Sequence, residues 1–273
     1  MTHSRPALAA LLEESGLAPR RDLGQNFVVD PNTVRRIAEL AAVGAGDHVV
    51  EVGAGLGSLT LALAETGASV TAVEVDRGIA TVLRRLTDGV EVIRVVEGDA
   101  MNLDWESVLD GADSWTLVAN LPYNIATPLI VELLAGVPRI SRMLVMVQLE
   151  AAERFAAGPG SGQYGAVSVR IAHRARARIV GRVPPTVFLP RPNVDSALVA
   201  IERHPEVPVI DEDVLDELLR AGFGQRRKML RRSLAGIASV SLIEASGIDP
   251  TARPETLGLE QWYALTDAVV ASR

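Results

Sequence analysis

The stretch HVVEVGAGLGSLTLALAETG, from His48 to Gly67, decides the fold. Its first residues predict a strand, its closely spaced glycines predict a tight turn, and the residues after them have a helical pattern. A strand that passes through a glycine-rich turn into a helix is typical of a parallel α/β sheet. The segment therefore predicts an α/β protein.

Strand and helix patterns alternate on both sides of this segment. Further strands are predicted in SVTAVEVD, VEVIRVVEGDA, SWTLVANLP and RMLVMVQL, and helices in PNTVRRIAELAAV, RGIATVLRRLTDG and TPLIVELLAG. This alternation predicts a parallel, doubly wound, Rossmann-like sheet with helices on both faces. Two late segments, ARIVGRV and DSALVAIERH, predict an antiparallel pair of strands at the edge of that sheet.

The strand signal disappears after about residue 203, and four helical patterns follow. They are EDVLDELLRAGF, QRRKMLRRSLAGI, SLIEASG and LEQWYALTDAVVAS. We therefore predict two domains. Residues 1–205 would form an N-terminal extension and the sheet, and residues 206–273 a small all-α domain. The glycine-rich segment GPGSGQYGA, residues 158–166, is expected to be a flexible connection.

Composition narrows the classes of function. The chain has 273 residues and is 48% hydrophobic, so it can bury a substantial core. It has no cysteine, which excludes disulfides and thiolate chemistry and is consistent with a cytoplasmic protein. No apolar run approaches the roughly 20 residues of a membrane span, and the first helical pattern is amphipathic. We expect neither a membrane partner nor a metal.

The charged residues are unevenly distributed. A net charge of −7 counts mildly against a nucleic-acid binder, yet two blocks contain basic residues and no acid. The blocks are Arg170, Arg174, Arg176, Arg178 and Arg182, and Arg220, Arg226, Arg227, Lys228, Arg231 and Arg232. They indicate either anion-binding surfaces or solvated faces that acids elsewhere in the fold neutralise. Charge alone leaves both interpretations open.

Polar residues at predicted strand ends indicate a nucleoside site. The glycines at Gly53 and Gly55 would let the backbone approach a ligand. Glu74 follows about 20 residues later, where a carboxylate can accept both ribose hydroxyls. Asp99 follows the third strand and could accept a hydrogen bond from an adenine amino group. Because Ser58 stands where dinucleotide folds place a third glycine, the spacing favours a mononucleoside-like ligand over NAD or FAD.

The segment NLPYN follows the fourth strand and combines two hydrogen-bond acceptors with an aromatic ring. Asn120 has a side-chain carbonyl, and Pro122 makes Leu121 extended, so that the Leu121 backbone carbonyl can lie beside it. Tyr123 supplies a flat face. Together they fit an exocyclic amine on a planar base, whose nitrogen lone pair becomes available without a general base. The alternative is a strand-ending turn with a structural Asn and a core Tyr.

Several motifs occur in one order along the chain. They are LGQNFVVD, EVGAGLG, VEVD, EGDA, NLPYN, MVQLEAAERFAAGPGSGQYGAVSV, VFLPRPNVDSALV and FGQRRKMLRRSL. In these motifs the chain resembles the S-adenosylmethionine-dependent adenine-N6 methyltransferases. It resembles most closely the small-subunit ribosomal RNA adenine dimethyltransferases, the KsgA/RsmA family.

The resemblance implies an activity, a cofactor and a partner. Members transfer methyl groups from S-adenosylmethionine to N6 of two adjacent adenines near the 3′ end of 16S rRNA, in an immature small ribosomal subunit. The chain would therefore be an RNA-binding enzyme of ribosome biogenesis, and we expect a monomer when it is free. The helical C-terminal domain would help to choose the RNA site, with phosphate contacts from Arg226, Arg227, Lys228 and Arg231.

The resemblance also implies site residues. The cofactor-binding set would be Gln25, Asn26, Val28, Gly53, Gly55, Glu74, Asp99, Ala100 and Asn120. The catalytic set would be Asn120, Leu121, Pro122, Tyr123 and Phe188. Within it, Tyr123 would stack on one face of the target base and Phe188 would cover the other.

Other classes stay open. The nearest rival is the large-subunit adenine methyltransferase that confers macrolide resistance, although the segment QRRKMLRRSL favours the small-subunit branch. A DNA adenine methyltransferase would have proline at Leu121. A non-catalytic ribosome-assembly factor could use the basic blocks without chemistry. A NAD-dependent oxidoreductase fits least, because of the glycine spacing.

Overall fold

The computed structural model describes residues 3–20 and 22–273, so three residues of the predicted first domain, Met1, Thr2 and Arg21, lie outside it. The strands are β1 (Phe27–Val28), β2 (His48–Val52), β3 (Ser69–Glu74), β4 (Ile93–Glu97), β5 (Trp115–Asn120), β6 (Ile140–Gln148), β7 (Ala175–Val183), β8 (Phe188–Leu189) and β9 (Ser196–Arg203). The helices are α1 (Arg5–Glu14), α2 (Pro31–Ala41), α3 (Ser58–Ala64), α4 (Arg77–Leu86), α5 (Trp105–Val108), α6 (Ala126–Gly136), α7 (Leu149–Phe155), α8 (Ala166–Arg174), α9 (Glu212–Gly224), α10 (Leu230–Ser233), α11 (Val240–Ala245) and α12 (Leu259–Ser272). Two 3₁₀ turns cover Pro185–Val187 and Pro254–Thr256.

The central sheet has seven strands in the order β4-β3-β2-β5-β6-β9-β7. The five strands from β4 to β6 are parallel, and β9 runs antiparallel to β6. This confirms the predicted Rossmann-like sheet with the two late strands at its edge. The chain builds β3 and β4 on one side of β2 and then crosses to β5. In such sheets ligands bind at this change of direction, beyond the carboxyl ends of the strands.

The strands around this point are buried. Val49, Val50, Leu117 and Val118 are all 0% exposed, as expected for parallel strands that helices cover on both faces. One of the apolar clusters joins α2 and α3 to the sheet through residues such as Ile37. Each such side chain contributes about 1.5–3 kcal/mol on burial, so the sheet is a rigid platform for the loops at its edge.

Helix starts follow their sequence signals in two places and depart from them in a third. The Asp30 carboxylate accepts a hydrogen bond from the Thr33 amide at 2.9 Å and begins α2, as the preceding Asp-Pro pair suggests. The Asp76 carboxylate begins α4 directly after β3. In contrast, α6 begins at Ala126, one residue before the predicted segment TPLIVELLAG, and the Pro122 carbonyl accepts the Ala126 amide at 3.1 Å. The NLPYN segment therefore leads directly into a helix.

The N-terminal helix α1 packs onto the sheet domain through its apolar side. Leu8 and Leu12 are buried in a cluster with Phe27, Leu56 and Ile79. This confirms the amphipathic helix that the sequence predicts. It also brings residues from the start of the chain to the glycine-rich turn after β2.

Contacts between Cα atoms divide the chain into two units. One unit runs to Ala152 and includes Ala177–Arg203, and the other contains Glu153–Arg176 and His204–Arg273. The second unit thus includes residues that the sequence assigned to the range 1–205. The reason is that Tyr164 is buried and its hydroxyl donates to the Leu257 carbonyl at 2.9 Å. The glycine-rich segment expected to be a flexible connection is therefore anchored to this unit.

Within the second unit, α9 and α12 pack around the fully buried Trp262. The prediction of one helix over QRRKMLRRSLAGI is largely wrong. Helix α9 ends at Gly224, and within the predicted segment the α-helix is limited to the four residues of α10. Met229 has an extended backbone, with φ −64° and ψ 150°, so the residues before α10 form a turn. In residues 3–20 and 22–273, no helix combines the length and apolar composition that crossing a membrane requires.

Candidate active site

A cleft opens at the carboxyl ends of β2, β3 and β5 and has about 740 Å³ of empty volume, its open mouth included. It is lined by residues 23–28, by most of residues 51–59, and by residues 74–75 and 120–123, with Leu8 of α1 at one side. It therefore lies at the change of direction in the sheet. Of the residues expected to bind the cofactor or the base, ten line it: Gln25, Asn26, Val28, Gly53, Gly55, Glu74, Asn120, Leu121, Pro122 and Tyr123.

The glycine-rich turn after β2 needs its glycines. Gly53 and Gly55 have φ angles of 74° and 56°, which side-chain-bearing residues rarely adopt. A Cβ on Gly55 would also lie 3.0 Å from the Phe27 ring. The Val73 carbonyl accepts the amide of Gly53 at 2.9 Å, which fixes the turn against β3. Bare backbone therefore lines the cleft at this point.

Glu74 ends β3 and is 4% exposed. Its Oε2 accepts a hydrogen bond from the Gly55 amide at 2.8 Å, and its Oε1 accepts one from the Asp76 amide at 2.9 Å. Burial raises the pKa of the Glu74 carboxyl, and the two backbone amides oppose that rise. Each oxygen keeps a second lone pair, so the carboxylate can still accept two hydroxyls of a ligand.

Glu51 is a site residue that the sequence reasoning missed. It lines the cleft, is 2% exposed, and accepts a 2.5 Å hydrogen bond from the Thr60 hydroxyl. Burial raises the pKa of Glu51 to about 8; the Thr60 hydrogen bond opposes the rise and the nearby Glu74 charge adds to it. The carboxyl is therefore mostly protonated at neutral pH. A single acid inside the apolar strand HVVEV was the signal that could have identified it.

The Asn120 amide has a fixed orientation. Its Nδ2 donates to the Asn26 backbone carbonyl at 2.8 Å, and the Asn26 Nδ2 donates to the Gly24 carbonyl at 3.0 Å. Because the amide nitrogen is engaged, Oδ1 is available as an acceptor. In the described parts of the chain, no hydrogen bond reaches this oxygen. The predicted acceptor is thus present, and the motif around Asn26 orients it.

The next residues hold a second acceptor. The Leu121 amide donates to the Met146 carbonyl at 3.1 Å, and the Pro122 carbonyl accepts from Ala126, so both ends of the dipeptide are tied down. Among residues 3–20 and 22–273, no hydrogen bond involves the Leu121 carbonyl. A Cβ on Gly24 would lie 3.2 Å from the Pro122 Cβ, which places the two motifs in close contact.

Tyr123 is partly buried, and its side chain lines the cleft. Its hydroxyl lies 2.7 Å from the Ser196 hydroxyl. Burial raises the pKa of Tyr123, while the hydrogen bond to Ser196 lowers it, so the phenol is neutral at physiological pH. The sequence identified Ser196 only as part of a longer motif, since its contact with Tyr123 spans 73 positions.

Phe188 does not occupy the predicted position. It is 0% exposed and belongs to the cluster that includes Val34 and Leu198. Its strand β8 pairs with β1, where Phe188 lies opposite Val28. The structure therefore leaves no surface of Phe188 on which a base could stack, contrary to the prediction. A two-residue strand pairing with a segment about 160 positions away has no local sequence signal.

Two further predicted residues lie outside the cleft lining. Asp99 is exposed, and its carboxylate accepts hydrogen bonds from the Met101 amide at 3.0 Å and the Asn102 side chain at 2.8 Å. Ala100 is 5% exposed. The Gly98 amide donates to the Glu74 carbonyl at 3.0 Å, so the Asp99 turn adjoins the end of β3. A role for Asp99 and Ala100 in cofactor binding stays a prediction.

Two polar atoms at the cleft are buried without a hydrogen-bond partner. They are Nε2 of Gln25, whose Oε1 accepts from the Arg20 amide at 2.8 Å, and Oγ of Ser58. A buried unsatisfied polar group costs about 1–3 kcal/mol, which a polar ligand can offset. Together with the glycine turn and the Glu74 carboxylate, these atoms fit a nucleoside-bearing ligand. The described residues contain no group of three His, Asp or Glu placed to hold a metal ion.

The first basic block is largely neutralised within the fold. Arg170 lies 2.6 Å from Asp216, Arg174 pairs with Glu212, and Arg178 lies 3.5 Å from Glu202. All three acids come from segments outside the block. For these three arginines the interpretation as balanced surface charge is the correct one.

In the second block, Arg226 differs from its neighbours. Its guanidinium lies 2.6 Å from the Glu255 carboxylate and donates to the Gly162 carbonyl at 2.7 Å. Arg227, Lys228 and Arg231 are exposed. The geometry therefore indicates a structural role for Arg226, whereas the other three are available to an anionic partner.

The chain matches the family model described as "Ribosomal RNA adenine dimethylase" over residues 16–270. A protein of Bifidobacterium adolescentis named "Ribosomal RNA small subunit methyltransferase A" is 46% identical, with 94% of this chain and 90% of that protein aligned. A protein of Cutibacterium acnes with the same name is 47% identical, with 96% and 93% aligned.

Two solved structures are similar over most of the chain. The 23S rRNA methyltransferase ErmE has a TM-score of 0.69 and 26% identity, covering 89% of this chain and 99% of its own. A dimethyladenosine transferase from Plasmodium falciparum has a TM-score of 0.72 and 25% identity, covering 86% and 94%.

Proposed function

The chain belongs to the ribosomal RNA adenine dimethylase family and is an rRNA adenine dimethyltransferase, and from that premise we propose that it dimethylates N6 of two adjacent adenines near the 3′ end of 16S rRNA. The observation that carries the chemistry is the oriented Asn120 amide beside a cleft that fits a nucleoside. The relatives named for the small subunit are 46% and 47% identical, against 26% for the 23S enzyme, which supports the small-subunit target.

We place this activity on the immature small ribosomal subunit, in the cytoplasm, as a step of ribosome biogenesis. The free enzyme would be a monomer. Two exposed features support an RNA partner: the open mouth of the cleft, and the cationic side chains at Arg227, Lys228 and Arg231. The three ion-paired arginines of the first basic block, Arg170, Arg174 and Arg178, would contribute less to this interaction.

S-adenosylmethionine would bind in the cleft and supply an activated methyl group. Gly53 would lie beside its methionine part, as the resemblance implies, Gly55 would belong to the same cofactor-binding turn, and Glu74 would accept its ribose hydroxyls. The unpartnered atoms of Gln25 and Ser58 offer further hydrogen bonds to polar parts of the molecule. Asn26 and Val28 also line the cleft and would close over the cofactor, as the resemblance implies. Asp99 would accept a hydrogen bond from the adenine of the cofactor.

The target amine would donate its two hydrogens to Asn120 Oδ1 and to the Leu121 carbonyl. Both oxygens are held by hydrogen bonds on their own residues, so accepting the amine requires no rearrangement. With S-adenosylmethionine bound, the lone pair of the nitrogen would attack the methyl group of that molecule as the nitrogen becomes tetrahedral. The methyl–sulfur bond would break as the new N–C bond forms, leaving S-adenosylhomocysteine, and the amine would then lose one proton to water. The enzyme acts by placing the reactants, which lowers the barrier through proximity and orientation.

The target base must leave its helical stack to enter the cleft. Tyr123 would stack on one face of it, and such stacking contributes about 1–3 kcal/mol per base. Since Phe188 is buried, the second face would be covered by another group or by the RNA itself. Tyr123 is then the aromatic residue of the NLPYN segment on which base binding would depend.

Incubating the protein with labelled S-adenosylmethionine and three substrates tests the function. The substrates are naked 16S rRNA, immature small subunits and large-subunit RNA, and the modified bases are mapped. We expect two adjacent dimethylated adenines in the small-subunit substrates. Label found only in large-subunit RNA would favour the ErmE-like activity. The absence of label from all three substrates would favour an assembly factor that binds RNA without methylating it.

Replacing Arg227, Lys228 and Arg231 together with alanine is expected to weaken RNA binding at low salt. Each phosphate contact changes the slope of log K against log salt by about 0.7–0.9, so the slope should flatten by roughly 2–3. RNA binding is measured between low and moderate salt, and S-adenosylmethionine binding is measured in parallel. The affinity for S-adenosylmethionine should be unchanged.

Arg85→Ala is the matched control, because Arg85 is an exposed arginine of the sheet unit. It should leave the salt slope as it is. Arg226→Ala should instead lower thermal stability, since it breaks the ion pair with Glu255. An unchanged salt slope in the triple variant would contradict the assignment of these residues to phosphate.

A further inference from the structure

Ser196 is the first residue of β9 and is 0% exposed. Its hydroxyl lies 2.7 Å from the Tyr123 hydroxyl, which lies beyond the end of β5. We propose that Ser196 is a positioning residue that fixes the rotamer of Tyr123 and so places its ring against the target base. This rests on the proposed function, because the placement of the ring matters only if a base stacks there.

The sheet holds Ser196 in place. Ser196 pairs with Gln148 in the register of β6 and β9, and the Leu149 amide donates to the Asp195 carbonyl at 3.0 Å. The Ser196 hydroxyl therefore projects from a rigid strand end. Because the hydroxyl has a fixed position, a side chain that hydrogen-bonds to it is held in one place.

The contact reaches across one strand of the sheet. In the register of β5 and β6, Asn120 lies opposite Met146, and β6 lies between β5 and β9. Tyr123 follows Asn120 by three positions, and its ring extends past the end of β6 to β9. The hydroxyl pair thus joins the segment that holds the target amine to a strand far away in sequence.

The Tyr123 backbone alone does not determine the ring orientation. Tyr123 lies in a short loop between β5 and α6, where a partly exposed side chain can adopt several staggered rotamers. The bond to a fixed hydroxyl at the far end of the ring selects one of them. One of the two hydroxyls donates and the other accepts, so both are satisfied only in this orientation.

Loss of either hydroxyl should release the ring. The stacking-competent orientation would then be one of several, and we expect kcat/KM for RNA to fall about tenfold, which corresponds to ~1.4 kcal/mol. Binding of S-adenosylmethionine should change less than about twofold, since neither hydroxyl is placed at the donor side of the cleft. The effect is therefore on the target base and not on the cofactor.

A double-mutant cycle tests this. The variants are Ser196→Ala, Tyr123→Phe and the two combined, assayed for methyl transfer to the RNA substrate and for donor binding by calorimetry. Each single variant should lower kcat/KM about tenfold, and the combined variant should be no slower than either. Multiplicative losses would overturn the proposal, because a merely structural serine would act equally well in both backgrounds.

A stacking readout separates positioning from folding. RNA with 2-aminopurine at the target position should be less quenched by both single variants than by the wild type. Thr71→Val removes another buried hydroxyl from the same sheet and should leave the quenching unchanged. If Ser196→Ala does not fold, Tyr123→Phe alone decides, and unaltered kcat/KM and quenching in it would refute the proposal. A wild-type enzyme that methylates no rRNA would instead refute the proposed function.

Discussion

Asn120→Ala is expected to lower the rate of methyl transfer by about 10²–10³-fold, the scale on which loss of a single placed hydrogen-bonding group affects an active site. The variant removes one of the two acceptors proposed for the target amine and leaves only the other, the Leu121 carbonyl. The affinity for S-adenosylmethionine should fall much less, because the glycine turn and Glu74 are untouched. Single-turnover methyl transfer from labelled S-adenosylmethionine measures the first effect, and calorimetry of S-adenosylmethionine binding measures the second.

Asn120→Asp is the matched variant. It keeps an acceptor oxygen but cannot donate to the Asn26 carbonyl, which the native amide reaches at 2.8 Å. We expect activity between that of the wild type and that of Asn120→Ala, since the acceptor would be present but poorly held. Near-normal turnover in Asn120→Ala would contradict the mechanism, whatever the second variant does.

Glu51→Gln is expected to stabilise the free protein at pH 8 by up to about 4 kcal/mol, since each unit of pKa difference between the folded and unfolded states corresponds to about 1.4 kcal/mol. The pKa of the buried Glu51 carboxyl is raised from 4.5 to about 8, so the folded state holds a proton that the unfolded state has lost. Stability is therefore full below about pH 4.5 and falls as pH rises towards 8. Glutamine mimics the protonated form and can still accept the Thr60 hydrogen bond, so it avoids this loss.

Denaturant unfolding at several pH values measures the difference. The gain in unfolding free energy from Glu51→Gln should grow between about pH 5 and pH 8 and then stay constant. Burial lowers the pKa of His173 from its ordinary value of 6.5. The titration of His173 therefore changes the unfolding free energy at lower pH and does not affect the range from about pH 7 to pH 8. Glu244→Gln, at an exposed site, should show no such trend. A gain that does not depend on pH would contradict a protonated Glu51.

Local sequence signals were enough to predict the sheet and three parts of the cleft. The glycine turn after β2, the acid that ends β3 and the NLPYN segment each depend on neighbours within a few positions. Their meeting at one cleft follows from the rule that ligands bind at the carboxyl ends of parallel strands. For this reason Gly53, Glu74 and Asn120 were predicted at the site where they lie.

Where the structure differs from the expectation, the environment of the residue is set by distant segments. Phe188 is an aromatic residue in a proline-rich motif, and only the pairing of β8 with β1 buries it. Arg226 lies in the same basic segment as Arg227 and Lys228, yet it alone of these three described residues forms an ion pair with Glu255. The glycine-rich segment 158–166 has the composition of a connection and is held by Tyr164. None of these contacts leaves a periodic pattern.

The amino-acid sequence by itself determined the α/β class, the order of the elements, the glycine turn after β2 and the position of the NLPYN segment at the end of β5, because short-range periodicity and turn chemistry encode them. Only the tertiary structure decided which side chains are free to act. It engaged the nitrogen of Asn120, buried Phe188, paired three arginines of the first basic block with acids, raised the pKa of Glu51 and placed Ser196 against Tyr123. Burial, charge pairing and hydrogen bonding depend on residues that are distant in the chain and adjacent in space.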